Sequence, residues 1–217
     1  MSKKVAVVLS GCGVFDGAEI YESVLTLLEL DKHGAKVSVF APDIPQMHVI
    51  NHLTGEEMAE SRNVLTEAAR IVRGNIQDIR NARAENFDAL VVPGGFGVAK
   101  NLSDFAVKGA DVTVQADFLT LAQAFHRQGK PIGLICIAPA LAAKICGPGT
   151  ECTIGTDADT AAAVEGTGAK HIICDVTEAH IDEKNLLVTT PAYMLANSIT
   201  EAASGISKLV EETLKRA

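Results

Sequence analysis

The feature that most constrains this chain is a regular alternation. Short runs of β-branched and aliphatic residues are each followed by a longer stretch with helical spacing. "VAVVLSG" (5–11), "KVSVFAP" (36–42), "DALVVPGG" (88–95) and "PIGLIC" (131–136) are continuous apolar runs closed by Gly, Pro or Cys. Runs of that kind are strands buried on both faces of a parallel sheet. Between them, "AEIYESVLTLLELDKHG" (18–34) and "VQADFLTLAQAFHRQG" (114–129) carry apolar residues at helical spacing and end on Gly, as helices do. A helix starts near Pro139. The C-terminal third adds strands at "HIIC" (171–174) and "LLVTT" (186–190), the latter preceded by a hairpin through "DEKN", and a closing helix at "NSITEAASGISKLVEETLKR" (197–216). Strands that alternate with helices through short loops form βαβ units, and these wind into an α/β sandwich with helices on both faces of a mostly parallel sheet.

Two helical faces follow from spacing. On the first helix Ile20, Val24, Leu27, Leu28 and Leu30 fall on one side. On the last, Ile199, Ala203, Ile206, Leu209 and Val210 do, and that side is expected against the sheet. The segment from Ile44 to Asn75 reads as an insertion into a single 217-residue domain. Ligands of such sheets bind beyond the carboxyl ends of the strands. The loops after Leu9, Val92 and Ile135 are therefore expected at one end of the molecule.

Composition narrows the function. Net charge is −8, with no concentrated basic face, which excludes nucleic acid as a partner, because phosphate contacts need clustered cations. The apolar run at the N-terminus, Val5 to Leu9, is too short for a signal peptide or a bilayer span, so a cytoplasmic location and no membrane partner are expected. The five cysteines (Cys12, Cys136, Cys146, Cys152, Cys174) form no C-x-x-C pair. Neither a disulfide framework nor a zinc site is suggested, and reduced thiols are expected.

Cys136 stands apart because it ends a buried strand where the backbone must turn into a helix. A residue at such an elbow is pushed into the crevice with a strained backbone. The amino end of the next helix would favour thiolate there. Ala138 and Ala140 let helix and strand approach closely, whereas Leu134 is bulkier than the Gly usual at its place. "PGG" at the end of the preceding strand offers Gly94 and Gly95 as a backbone cradle, and Gly95 with the amide of Ile137 would supply two donors to an oxyanion. Glu19 and Glu22 lie in the first turns of helix one. A carboxyl at Glu22, if it faces the crevice, would have its pKa raised by burial and by a neighbouring thiolate.

Other residues carry weaker signals. Cys12 occupies the first crevice loop, as packing or as a redox partner for Cys136. His48 and His52, four apart, match one helical face of a metal site but lack a third ligand; alternatively they reach the crevice on an insertion that folds over it. His126 lies near a helix carboxyl end, and Asp159 or Thr160 would cap a helix.

"GAEIYESVLTLLELDKHGAKVSV", "VVPGGFGVAKNLSDF", "GLICIAPALAAKI" and "NLLVTTPA" together resemble the ThiJ/PfpI superfamily of class I glutamine-amidotransferase-like proteins. "SGCGVFDGAEI", "INHLTGE", "TIGTD" and "VTTPAYMLA" are similar to its ElbB (enhancing lycopene biosynthesis) subfamily. The resemblance spans nearly the whole chain. It implies a flavodoxin-like sandwich, Cys136 as nucleophile, Glu22 as its carboxyl partner, Gly95 and Ile137 in the oxyanion role, and a homodimer. It also implies a cofactor-independent glyoxalase that converts glyoxal to glycolate without a metal. One departure matters. Proteases and glutaminases of the superfamily place His directly after the Cys or on a later strand, whereas here Ile137 and "CTIGTDADT" offer none. Amide hydrolysis needs a general acid for its leaving group, so peptidase and glutaminase activities are disfavoured. Two classes stay open: a Cys-dependent enzyme acting on small 2-oxoaldehydes, and a non-catalytic redox-sensing or regulatory protein with a reactive elbow cysteine.

Overall fold

The computed structural model describes residues 2–217. In chain order, β1 (Lys4–Val8), α1 (Ile20–Lys32) and β2 (Lys36–Ala41) lead to α2 (Val64–Ile71) and β3 (Gln77–Asp78). Next come β4 (Ala89–Val92), α3 (Phe96–Lys100), α4 (Phe105–Lys108), α5 (Ala116–Arg127), β5 (Ile132–Ile135) and α6 (Ala142–Cys146). The chain closes with β6 (Glu151–Cys152), α7 (Ala158–Gly166), β7 (Lys170–His171), β8 (His180–Asp182), β9 (Leu187–Thr190) and α8 (Ile199–Arg216). Seven strands make one sheet in the order β3-β2-β1-β4-β5-β9-β8, parallel except for the β8–β9 hairpin. This is the flavodoxin-like α/β sandwich expected from the strand–helix alternation. The order reverses between β1 and β4, which makes the crevice beyond their carboxyl ends the place for a ligand.

The sheet separates two apolar layers. Ala6, Val8, Leu90 and Leu134 point toward α5 and α6, while Val5, Val7, Val91 and Ile135 point toward α1, α2 and α8. Alternate residues of one strand thus serve opposite layers, and this is why the strands read as unbroken apolar runs. Gly133 of β5 leaves room for α8, since a Cβ there would lie 2.8 Å from Leu209 Cδ2.

Three expectations need correction. Of the expected "HIIC" strand only His171 is extended in a ladder: β7 (Lys170–His171) pairs with β6 in a small separate sheet rather than joining the main one. α7 is capped by Asp157, whose side chain accepts from the Thr160 amide, and not by Asp159 or Thr160. The third concerns α1. Ile20 (44 % exposed), Val24 (47 %) and Leu28 (44 %) face outward, and the helix buries Glu22, Ser23, Thr26 and Glu29 instead, while Leu30 is buried and Leu27 partly buried as expected. Glu29 is satisfied there by Lys32 Nζ at 2.7 Å and Ser207 Oγ of α8 at 3.1 Å. α8 itself buries Ile206, Leu209 and Val210 as its spacing predicts, with Ile199 exposed.

The insertion is tied to the loop after β1. Asp16 Oδ2 accepts from the Ile50 amide at 2.7 Å, and Asn101 Oδ1 accepts from the Met47 amide at 3.0 Å. His52 Nε2 accepts from the Phe15 amide at 3.2 Å, while its Nδ1 lies 3.0 Å from Ile50 O. Both ring nitrogens of His52 are therefore used by the fold, which leaves no free nitrogen for the metal-pair reading. No residue of 44–75 lines the cavity at Cys136, so the insertion does not form the lid considered from sequence.

Candidate active site

β5 delivers Cys136 to the crevice through a strained turn. Its φ is +63°, a region that residues with a Cβ avoid, and its amide donates to Thr190 O of β9 at 3.0 Å. The side chain is 7 % exposed, and it contributes to the wall of a cavity of about 520 Å³. A second non-glycine residue with positive φ, Ala192 (+44°), follows β9. That bend turns the next amide, of Tyr193, toward the site.

Glu22 reaches the same point from α1. Glu19 caps this helix, its Oε2 accepting from the Glu22 amide at 2.6 Å. One turn in, the Glu22 side chain is completely buried. Oε2 accepts from the Gly94 amide at 2.9 Å and Oε1 from the Tyr193 amide at 3.2 Å, and the Cys136 side chain lies beside the carboxyl, both converging on Gly94. Burial, together with the charge of Glu19, pushes the Glu22 pKa from its ordinary 4.5 up to about 8.

The glycines have separate tasks. A Cβ on Gly94 would lie 2.4 Å from Cys136 Cβ and 2.7 Å from Glu22 Oε2. Only glycine allows β4, β5 and α1 to meet at this point. Because its amide is spent on Glu22, Gly94 holds the carboxyl rather than offering a donor to an oxyanion, which corrects the cradle role expected for it. Gly95 has φ +95°, and a Cβ there would strike the Glu19 amide and Gly17 O. The amides of Gly95 and Ile137 lie beside the Cys136 sulfur and favour its thiolate. Cys136, Glu22, Gly94, Gly95 and Ile137 are thus brought together from two strand ends and one helix start.

The expected thiolate does not follow. Burial and the negative charge of Glu22 push the Cys136 thiol well above its ordinary pKa, against the two amides. The helical stretch after the elbow begins as a single 3₁₀ turn, Ala138–Leu141, too short a run of aligned peptides for a large dipole. Cys12 sits among Glu67, Arg70, Asp16 and Arg62 and is absent from the cavity wall, so the redox-pair reading lacks a shared site. Among the described residues no group of three or more His, Cys, Asp or Glu side chains is placed to hold a metal ion. One participant was not legible in the sequence: the Tyr193 amide acts through its backbone, which no side-chain motif records. Glu19, expected in the first turns of helix one, caps α1 and enters the cavity wall.

A strand-end cysteine with φ +63° and a buried glutamate beside it, at the switch point of this sheet, agree with the comparisons to known proteins. The sequence profile of the DJ-1/PfpI family matches residues 3–192. The chain belongs to the DJ-1/PfpI family. It is 50 % identical, over 98 % of its length and 82 % of the relative's, to human glutamine amidotransferase-like class 1 domain-containing protein 3, mitochondrial. It is 37 % identical to the zebrafish (Danio rerio) ES1 protein, mitochondrial, over 88 % of this chain and 76 % of that one. Among solved structures, an isoprenoid biosynthesis protein with an amidotransferase-like domain from Ehrlichia chaffeensis superposes with a TM-score of 0.93 at 35 % identity, covering 99 % of both chains. Drosophila melanogaster DJ-1beta, with a TM-score of 0.55, 19 % identity and coverage of 100 % of this chain and 96 % of that one, shares the fold. No helix among the described residues is long and apolar enough to cross a membrane.

Proposed function

We propose that this DJ-1/PfpI protein is an ElbB-type, cofactor-independent glyoxalase that converts glyoxal to glycolate on Cys136 and Glu22. The observation that carries the reading is the fully buried Glu22 carboxyl, held by the Gly94 and Tyr193 amides beside the Cys136 thiol, with no histidine in the cavity wall. Two negative charges cannot share this buried space, so a pair that has lost one proton keeps the other. In the resting pair that proton sits mainly on Cys136, whose pKa is the higher; the reactive form is the minor arrangement in which the Glu22 carboxylate has taken it, leaving a Cys136 thiolate beside a protonated Glu22.

The thiolate adds to one aldehyde carbon. A C–S bond forms, the carbonyl electron pair moves to oxygen, and Glu22 supplies the proton that makes the hemithioacetal. The Gly95 and Ile137 amides beside the sulfur stabilise the developing oxyanion. Glu22, now a carboxylate, takes the proton from the sulfur-bearing carbon and returns it to the neighbouring carbon through an enediol, while the hydroxyl proton passes from the first oxygen to the second. One carbon is oxidised to a thioester and the other reduced to a carbinol, so no external oxidant is needed. Water then cleaves the thioester, releasing glycolate and the free thiol.

The reading keeps the cytoplasmic location and the homodimer expected from sequence, although the human and zebrafish relatives are named as mitochondrial. A link to isoprenoid biosynthesis rests on the resemblance to ElbB and on the name of the Ehrlichia relative. The test is glycolate formation from glyoxal by the metal-free protein. Turnover is expected to vanish in Cys136→Ser and to fall about 100-fold or more in Glu22→Gln. If the parent protein makes no glycolate while Cys136 is alkylated rapidly near neutral pH, the redox-sensing or regulatory alternative replaces the enzyme.

A further inference from the structure

The cavity is larger and more apolar than glyoxal needs. Glyoxal has four heavy atoms, on the order of two to three water volumes, whereas the space beside Cys136 is about 520 Å³, the size of a pocket that encloses a whole ring-bearing ligand. Besides the reacting sulfur, its walls include Phe96, Met194, Phe105 and Ala106 of α4, and Ala163 of α7. Glu19 and Asp159 are the acidic residues in the wall, and it contains no Lys, Arg or His. An anionic substrate would meet two carboxyl side chains and no counter-charge, while an apolar body would displace water from aromatic and aliphatic surface.

We propose, building on the oxoaldehyde reading above, that the substrate this site selects is an uncharged 2-oxoaldehyde with an aryl or branched-alkyl body, and that carboxylated or phosphorylated oxoaldehydes are excluded. The aldehyde carbon sits at Cys136 and the body extends between α4 and α7. The chemistry is the balanced sequence already given, with the internal carbonyl of the oxoaldehyde reduced to the carbinol, so the product is the corresponding 2-hydroxy acid. Selectivity comes from the far wall, because a few additional buried carbons change kcat/KM by tenfold or more.

The experiment compares kcat/KM of the full chain for glyoxal, phenylglyoxal and 4-carboxyphenylglyoxal, in the parent and in Ala163→Phe, which fills the far wall. Phenylglyoxal is expected to exceed glyoxal by at least about tenfold and its carboxylated analogue by at least about tenfold, and Ala163→Phe should reduce the phenylglyoxal-to-glyoxal ratio by a similar factor. Equal or higher values for glyoxal, with turnover still lost in Cys136→Ser, overturn the substrate class and leave the enzyme standing. If the parent turns over none of the three, the enzyme reading fails, and alkylation of Cys136 decides the cavity's selectivity. Rates for N-benzyliodoacetamide, iodoacetamide and iodoacetate, each normalised to its rate with glutathione, should fall in that order by about tenfold per step. A flat series or the reverse order overturns the inference.

Discussion

Helices α1 and α8 pack against each other on the same face of the sheet, yet they obey opposite rules. α8 puts Ile206, Leu209 and Val210 inward and its charges outward, as an amphipathic helix should. α1 buries two glutamates, a serine and a threonine, and shows Ile20, Tyr21, Val24 and Leu28 to solvent. The difference lies in what each helix delivers. α8 supplies only packing, over the space left by Gly133. α1 must bring a carboxyl to the sulfur at the switch point, and its start is fixed by the Glu19 cap. Once Glu22 points at Cys136, the residues one turn further along that face, Thr26 and Glu29, are buried with it. The apolar stripe is thereby turned outward.

The largest effect that tests this contrast is on stability. Leu209→Ala removes a fully buried side chain of α8 and is expected to cost about 3 kcal/mol in a denaturant titration. A loss below about 1 kcal/mol would show that α8 is not the packing helix described. A second effect comes from the polar face of α1. The Glu22 pKa is raised on folding from 4.5 to about 8, so between these values the folded state binds more protons than the unfolded one. Stability then falls as pH rises across that window, by up to about 1.4 kcal/mol per pH unit from this group. It is unaffected by this group below about pH 4.5. Thermal unfolding of Glu22→Gln should show a flatter dependence from pH 5 to 8 than the parent; parallel curves would mean that Glu22 folds already charged. The smallest effect is expected on the outer face of α1, where Leu28→Ala should change the stability of the monomer by no more than about 0.5 kcal/mol. A cost comparable to that of Leu209→Ala would place Leu28 in a buried contact.

The same contrast shows what the sequence makes legible. Strands β1, β4, β5 and β9 are recognisable because a strand buried on both faces is written as a continuous apolar run, and from their order follows the elbow at Cys136. Ladders of two residues, such as β3 and the β6–β7 pair, are too short to carry periodicity. The buried face of α1 is hidden for a different reason. Helical spacing locates an apolar stripe, but a stripe reports the buried side only where no functional residue claims the opposite one. Glu22 was identified as a candidate by its place in the first turns and by resemblance, while its two backbone donors depend on the positive φ of Ala192 and on the close approach at Gly94. Those are consequences of tertiary geometry that local sequence does not encode. The unfavourable pKa of Cys136 was hidden for the same cause, because the amides that lower it are outweighed by burial and by Glu22.

The most direct test of the account is the titration of the Glu22 side-chain carboxyl by carbon-13 NMR, with the resonance assigned through its loss in Glu22→Gln. The account predicts that this carboxyl stays protonated at pH 6 and titrates near pH 8, with its midpoint shifting in Cys136→Ala. A midpoint in the ordinary carboxylate range, indifferent to removal of the thiol, would contradict the shared-proton pair on which the proposed chemistry depends.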